Sequence, residues 1–165
     1  QKYWIDERNR NCFILFARDL SICWGENPSY WRWSRSLIIF LVLCSEEQVD
    51  VADLVEVCWL DVTGKFDISH LSPHVTYSIL FNVKINDTAN GFQNNPVNLR
   101  LTVPGKTPQE HAKNLMQYPK GQWIEIPVGQ LKTSNQESGE MTFSLHEHSG
   151  TWKRGLVIKG VVIRP

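Results

Sequence analysis

Val75-Thr76-Tyr77-Ser78-Ile79-Leu80-Phe81-Asn82-Val83-Lys84-Ile85 places six large apolar side chains at every second position. A period of two is that of a strand whose alternate side chains face opposite ways. Val75, Tyr77, Ile79, Phe81, Val83 and Ile85 form a buried face, and Thr76, Ser78, Asn82 and Lys84 a wetter one. Downstream the same logic predicts strands over Val97–Val103, Trp123–Val128, Glu140–Glu147 and Leu156–Ile163, with Asn86–Pro96 as a turn-rich connection. Upstream it predicts strands over Cys12–Ala17 and Leu20–Trp24. Val51–Val62 is apolar on both alternating faces and reads as a central strand that Gly64 ends. Pro108–Met116, with Thr107 as cap and Pro108 at the first helical position, is the one candidate helix. Seven to nine short strands with turn signals between them give an all-β sandwich or barrel.

The chain's 165 residues and 42% apolar content suit a single domain, 1–165, with a core of its own. Lys plus Arg balances Asp plus Glu at 17 each, leaving no basic field for a nucleic-acid backbone. The longest apolar run, Leu37–Cys44, is shorter than the roughly 20 residues of a membrane helix. It reads as strand, placed either in the core or at a subunit interface. The polar opening after Gln1 does not resemble a signal peptide. Cys12, Cys23, Cys44 and Cys58 form no Cys-x-x-Cys pair, and Cys12, Cys23 and Cys58 read as packed thiols.

Enzyme signatures are missing: there is no Gly-x-Ser-x-Gly elbow, His-Glu-x-x-His or P-loop. His146 and His148 share a strand face but have no third metal ligand near them in sequence. Glu26 and Glu147 are the only carboxylate pair worth weighing for sugar hydrolysis, and accepting hydrogen bonds from sugar hydroxyls explains both with fewer demands. What stands out is Arg18–Trp33, where Trp24, Trp31, Trp33 and Tyr30 surround Gly25-Glu26-Asn27-Pro28-Ser29. Rings beside hydrogen-bonding side chains on a turn suit a sugar, a base or a peptide. Trp59 and Trp123 lie inside strand patterns and are expected in the core, whereas Trp152 fits either setting.

Ala17-Arg18-Asp19-Leu20-Ser21-Ile22-Cys23-Trp24, Asn27-Pro28 and Tyr30-Trp31-Arg32-Trp33 resemble blocks of the plant phloem lectins, a family that includes the cucurbit lectins and the tobacco jasmonate-induced agglutinin. Cys58–Lys65, Trp123–Gly129 and Thr151–Gly160 continue the resemblance in family order. It implies a jelly-roll-like β-sandwich resembling a carbohydrate-binding module, non-catalytic and without a cofactor. The implied ligands are N-acetylglucosamine oligomers (chitooligosaccharides and the N-glycan core), and the implied residence is phloem sap or nucleocytoplasm. A homodimer is implied as well, and Cys44, outside the family-like strands, is the cysteine expected to crosslink it. The family's sugar-binding tryptophans fall on Trp24 and Trp31 and its acidic residues on Glu147 and Glu140. Asn27, Glu26 and Tyr30 complete the expected site. A protein-interaction module of the F-box-associated type, gripping a glycoprotein or peptide, is the alternative.

Overall fold

The computed structural model describes residues 1–40, 44–135 and 138–165. Its strands are β1 (Lys2–Ile5), β2 (Asn11–Phe16), β3 (Ser21–Ile22), β4 (Trp31–Phe40), β5 (Ser45–Leu54), β6 (Leu60–Asp67), β7 (Thr76–Asn90), β8 (Val97–Thr102), β9 (Gln109–Lys113), β10 (Trp123–Lys132), β11 (Glu140–Glu147) and β12 (Arg154–Arg164). Among the described residues the only helical pieces are single 3-10 turns at Ala17–Asp19, Ile68–His70 and Leu115–Gln117.

Two antiparallel sheets face each other. One has seven strands, with β10 and β7 on one side of β12 and with β2, β1, β5 and β4 on the other; the second has the order β3-β6-β11-β8-β9. The alternation over 75–85 holds, since Tyr77, Ile79, Phe81, Val83 and Ile85 are all fully buried. They meet Met141, Phe143 and Leu145 of β11 and Val97, Leu99 and Leu101 of β8 across the sandwich. Phe81 and Phe143 touch edge to face at 6.4 Å between centroids. The fold is thus an almost all-β, two-sheet sandwich.

β12 is covered on both faces. Ile158, Val161 and Ile163 belong to the central core, while Val157 packs with Ile38, Val49 and Val51 in a second, smaller cluster flanked by Phe16, Phe40 and Trp123. Lys159 is only 8% exposed and sits with its ammonium 4.0 Å from the centroid of the Trp123 ring, which Lys84 also approaches at 4.9 Å. Burial, with Lys84 nearby, pushes its pKa down to about 8.

Several expectations are corrected. Val51–Val62 is not one central strand: β5 ends at Leu54 in the first sheet and β6 starts at Leu60 in the second, with Val55 and Trp59 exposed between them. Gly64 does not end the strand but lies inside β6, paired with Phe143, and it is glycine because a Cβ there would come 2.3 Å from the Phe143 ring and 2.7 Å from Leu20. The strand expected over Leu20–Trp24 shrinks to Ser21–Ile22. The helix expected over Pro108–Met116 is instead the edge strand β9, paired to β8 and followed by a 3-10 turn. The Gln109 side chain ties this edge to β10, 21 residues on, donating to the Gln130 carbonyl and accepting from its amide. β7 runs on through Asn86 to Asn90. Trp123 is half-buried on the outer face of the first sheet, not in the central core.

The apolar run is neither wholly core nor wholly bare. Ile38 is buried, Leu37 and Ile39 are exposed on the edge strand β4, and 41–43 lie outside the described residues. Among the described residues no disulfide joins the cysteines: Cys12 is buried, Cys23 and Cys58 are half-buried in connections and not in strands, and Cys44 is exposed.

Candidate functional site

Three connections leave the sandwich at the same end: β3 to β4, β5 to β6, and β11 to β12. Backbone hydrogen bonds join them. Val55 N donates to Tyr30 O at 2.9 Å, and Val57 and Lys153 exchange a pair at 3.0 and 2.9 Å, while Cys23 N anchors the first connection to Asp61 O of β6 at 3.0 Å. The Cys58 thiol donates to Gly150 O. Trp24, Trp59 and Trp152 are carried one on each connection and are 57, 49 and 55% exposed, so the rim displays three open indoles.

The β3–β4 connection is a chain of tight turns. Gly25 N donates to Ile22 O and Asn27 N to Trp24 O, both at 2.9 Å, and Asn27 Oδ1 accepts from Ser29 N. Asn27 therefore shapes its own loop in the way Asx residues do. A Cβ on Gly25 would lie 2.9 Å from Ile22 O, which explains the glycine. Trp24 has φ of 63°, a left-handed conformation unfavourable for a bulky side chain and costing about 1–3 kcal/mol.

The next two tryptophans hold that strained residue. Trp31 Nε1 donates to Cys23 O at 3.2 Å and Trp33 Nε1 to Gly25 O at 2.8 Å. Spaced by two on β4, they share a face and grip the two carbonyls on either side of Trp24. Arg18 covers the Trp33 ring at 3.6 Å, with its guanidinium bonded to Asp50 and reaching Glu26 at 3.5 Å. Trp24 is left with Tyr30 against it, edge to face at 5.8 Å. Beside it, Ile22, Glu26, Asn27 and Pro28 bound a wide, shallow hollow of about 670 Å³.

Trp31 is therefore not an open platform. It is 2% exposed and lies opposite Leu54 in the β4–β5 ladder, so its ring belongs to the core and its indole nitrogen to the loop. Glu147 is likewise not open to a ligand. It is 7% exposed, ion-paired to the fully buried Lys153, and accepts from Ser149 N at 3.1 Å and Ser149 Oγ at 2.9 Å. Burial alone would raise its pKa, but the hydrogen bonds from Lys153 and Ser149 outweigh that and hold the carboxyl below its ordinary value. Lys153 Nζ also donates to Thr151 O at 2.7 Å, so the pair ties the β11–β12 connection down from inside. A hydrolytic partnership of Glu26 with Glu147 is excluded by this burial. Glu140 stands at the far end of β11, about 23 Å away along the strand, and faces Lys65.

A phloem protein 2 family profile matches residues 10–165. The chain belongs to the phloem protein 2 family. Protein PHLOEM PROTEIN 2-LIKE A1 of Arabidopsis thaliana is 44% identical over 167 residues, which take in 99% of this chain and 65% of that protein. A lectin of Luffa acutangula is 38% identical over 167 residues, 100% of this chain and 76% of that one. The Arabidopsis F-box protein PP2-B10 is 29% identical over 180 residues, 98% of this chain and 63% of that one. This phloem protein 2 chain thus spans about two thirds of the length of such relatives. Among solved structures, the C-terminal CBM6 of LamC from Zobellia galactanivorans aligns with a TM-score of 0.45 at 12% identity, covering 94% of this chain and 100% of that one.

In this member of the phloem protein 2 family, sequence reasoning found Trp24, Glu26, Asn27 and Tyr30 on one loop, and the structure keeps them together. It missed Trp59, assigned to the core. The Trp59 ring lies flat on His148 at 3.6 Å with 1° between planes, and His148 Nε2 is 2.9 Å from Asp61 Oδ2. Trp59 comes before β6, where the alternation that signalled burial has already lapsed. Among the described residues no group of three or more His, Cys, Asp or Glu is arranged to hold a metal ion, and no helix is long and apolar enough to cross a membrane.

Proposed function

We propose that this chain is a lectin that binds β-linked N-acetylglucosamine oligomers, free or in the N-glycan core, without transforming them. The observation that carries the reading is Trp24, an exposed indole in a strained backbone, locked there by Trp31 and Trp33. The axial hydrogens of a β-linked pyranose form an apolar face that stacks on such a ring, and a preformed ring loses little entropy on binding. Glu26 and Asn27 lie beside it for the hydroxyls and the N-acetyl group. Kinship with the Luffa lectin supports a sugar ligand, and the rim's three indoles support a chain of sugars over a single one.

Calorimetric titration with oligomers of one to four units tests this. Affinity should rise with length, and Trp24→Ala should lose about 2 kcal/mol, roughly thirtyfold, while leaving the melting temperature unchanged. Binding undiminished in a folded Trp24→Ala variant would remove the proposal. Recognition of a glycoprotein by an F-box-type assembly is the second reading, favoured by the PP2-B10 relative. It moves to first place when no free oligomer binds. The proposal includes a homodimer, supported by the exposed Leu37 and Ile39 on an edge strand and measured by sedimentation, and residence in phloem sap or nucleocytoplasm, measured by immunolocalisation.

A further inference from the structure

The outer face of the five-stranded sheet is polar and ordered in two rungs. Register places Asp61, His146, Asn98 and Ala112 in one line across β6, β11, β8 and β9, and Thr63, Ser144, Arg100 and Glu110 in the next. Four strands side by side make about 14 Å of sheet, three spacings of nearly 5 Å. Ala112 is the one residue in these rungs without reach. Around it opens a hollow of about 270 Å³, walled by Asn98, Arg100, Glu110, His111 and His146.

This hollow connects to the rim. His146 is one of its walls, and the His146 ring lies 5.0 Å from that of His148, which carries the exposed Trp59 on its face. Asp61, first in its rung, is the residue bonded to His148. Trp59, His148, His146 and the hollow therefore form one continuous track from the end of the sandwich onto its side.

The chemistry of the track selects its occupant. Arg100 is paired with Glu110 at 3.4 Å, so the guanidinium is already balanced, and Asp61 adds an acid on the other side. A polyanion would meet these carboxylates, and a polycation would meet the arginine. Burial and His148 push the His146 pKa down, so its ring is neutral at neutral pH and offers one donor and one acceptor. Asn98, Ser144 and Thr63 add groups that both donate and accept. Neutral, bifunctional and carboxylate groups set at strand spacing match a ligand made of hydroxyls and amides at regular intervals.

We propose that the outer face of the five-stranded sheet is an extension of the rim site that holds further units of a neutral oligosaccharide, entering over Trp59 and ending in the hollow beside Ala112. The inference rests on the lectin reading above and adds a direction and a second set of contacts to it.

Calorimetry with the N-acetylglucosamine dimer and hexamer tests it on three proteins: the chain itself, Arg100→Ala, and Ala112→Phe, which fills the hollow without removing a polar group. The hexamer should bind the unmodified chain at least about tenfold more tightly than the dimer, and both variants should lose that gain while binding the dimer as before. The imidazole resonances of His146 should shift with hexamer and stay in place with dimer. Hexamer affinity undiminished in both variants would overturn the groove and leave the rim site standing. No binding of either oligomer to the unmodified chain would overturn the lectin reading and the groove with it. Circular dichroism and melting of each variant show that losses are not those of unfolding, and the two variants act by opposite means, so one unstable variant does not spoil the test.

Discussion

Replacing Glu147 by Ala leaves the ammonium of Lys153, which has no solvent exposure, with a single neutral acceptor, the Thr151 carbonyl. Removing one member of a buried pair strands the other charge, at a cost of about 3–5 kcal/mol. For a domain of this size that lowers the melting temperature by about 10 °C. Putting Leu at 147 and Met at 153 together removes both charges at similar volume and should recover most of the loss. The pair also predicts acid sensitivity. Because the Glu147 carboxyl is held below its ordinary value, its stabilisation is present above the usual glutamate range and is lost as pH falls through that range to the lower folded value. Urea unfolding of the single and double variants, read beside oligomer titration, separates support of the loop from contact with sugar. In the single variant binding should weaken together with stability, and in the double variant both should return. A double variant that regains stability but stays unable to bind, or a Glu147→Gln protein that melts normally and has lost binding, would refute the reasoning and return Glu147 to the ligand.

Trp31→Ala should cost about 3–5 kcal/mol of stability, the loss of a large buried ring, and denaturant unfolding will show whether it behaves as core. Lys159→Met should raise the melting temperature at pH 7. The folded-state pKa near 8 lies below the ordinary 10.5, so the penalty for the charged lysine is full below pH 8 and fades as pH rises toward 10.5; melting curves across that window should show the two proteins converging. Gly64→Ala should destabilise by about 1–3 kcal/mol through overpacking against Phe143 and Leu20, measured in the same way.

The strands that face a single core were legible because each is alternately apolar, as β7, β8 and β11 show. The same rule, pressed further, places Glu147 inside: it shares parity on β11 with Phe143 and Leu145. What could not be read were decisions made by distant partners. Nothing local says that Gln109 will bridge to Gln130 and hold β9 as an edge strand, or that a break at Val55–Trp59 carries the chain from one sheet to the other. The aromatic loop was legible as a cluster, but its division of labour was not. Trp31 and Trp33 serve the loop because β4 passes beneath it, and only Trp24 is turned out.

The buried Glu147–Lys153 pair has a further consequence, for tolerance to change. It closes the β11–β12 connection from below, with Val57 and Lys153 paired beside it, and the hydrogen bonds that fix this stretch run to the backbone of Gly150 and Thr151 and not to the ring of Trp152. The ring displayed at 152 is therefore interchangeable hardware on a fixed mount. Substituting it should retune which ligands the rim accepts while the framework underneath folds as before.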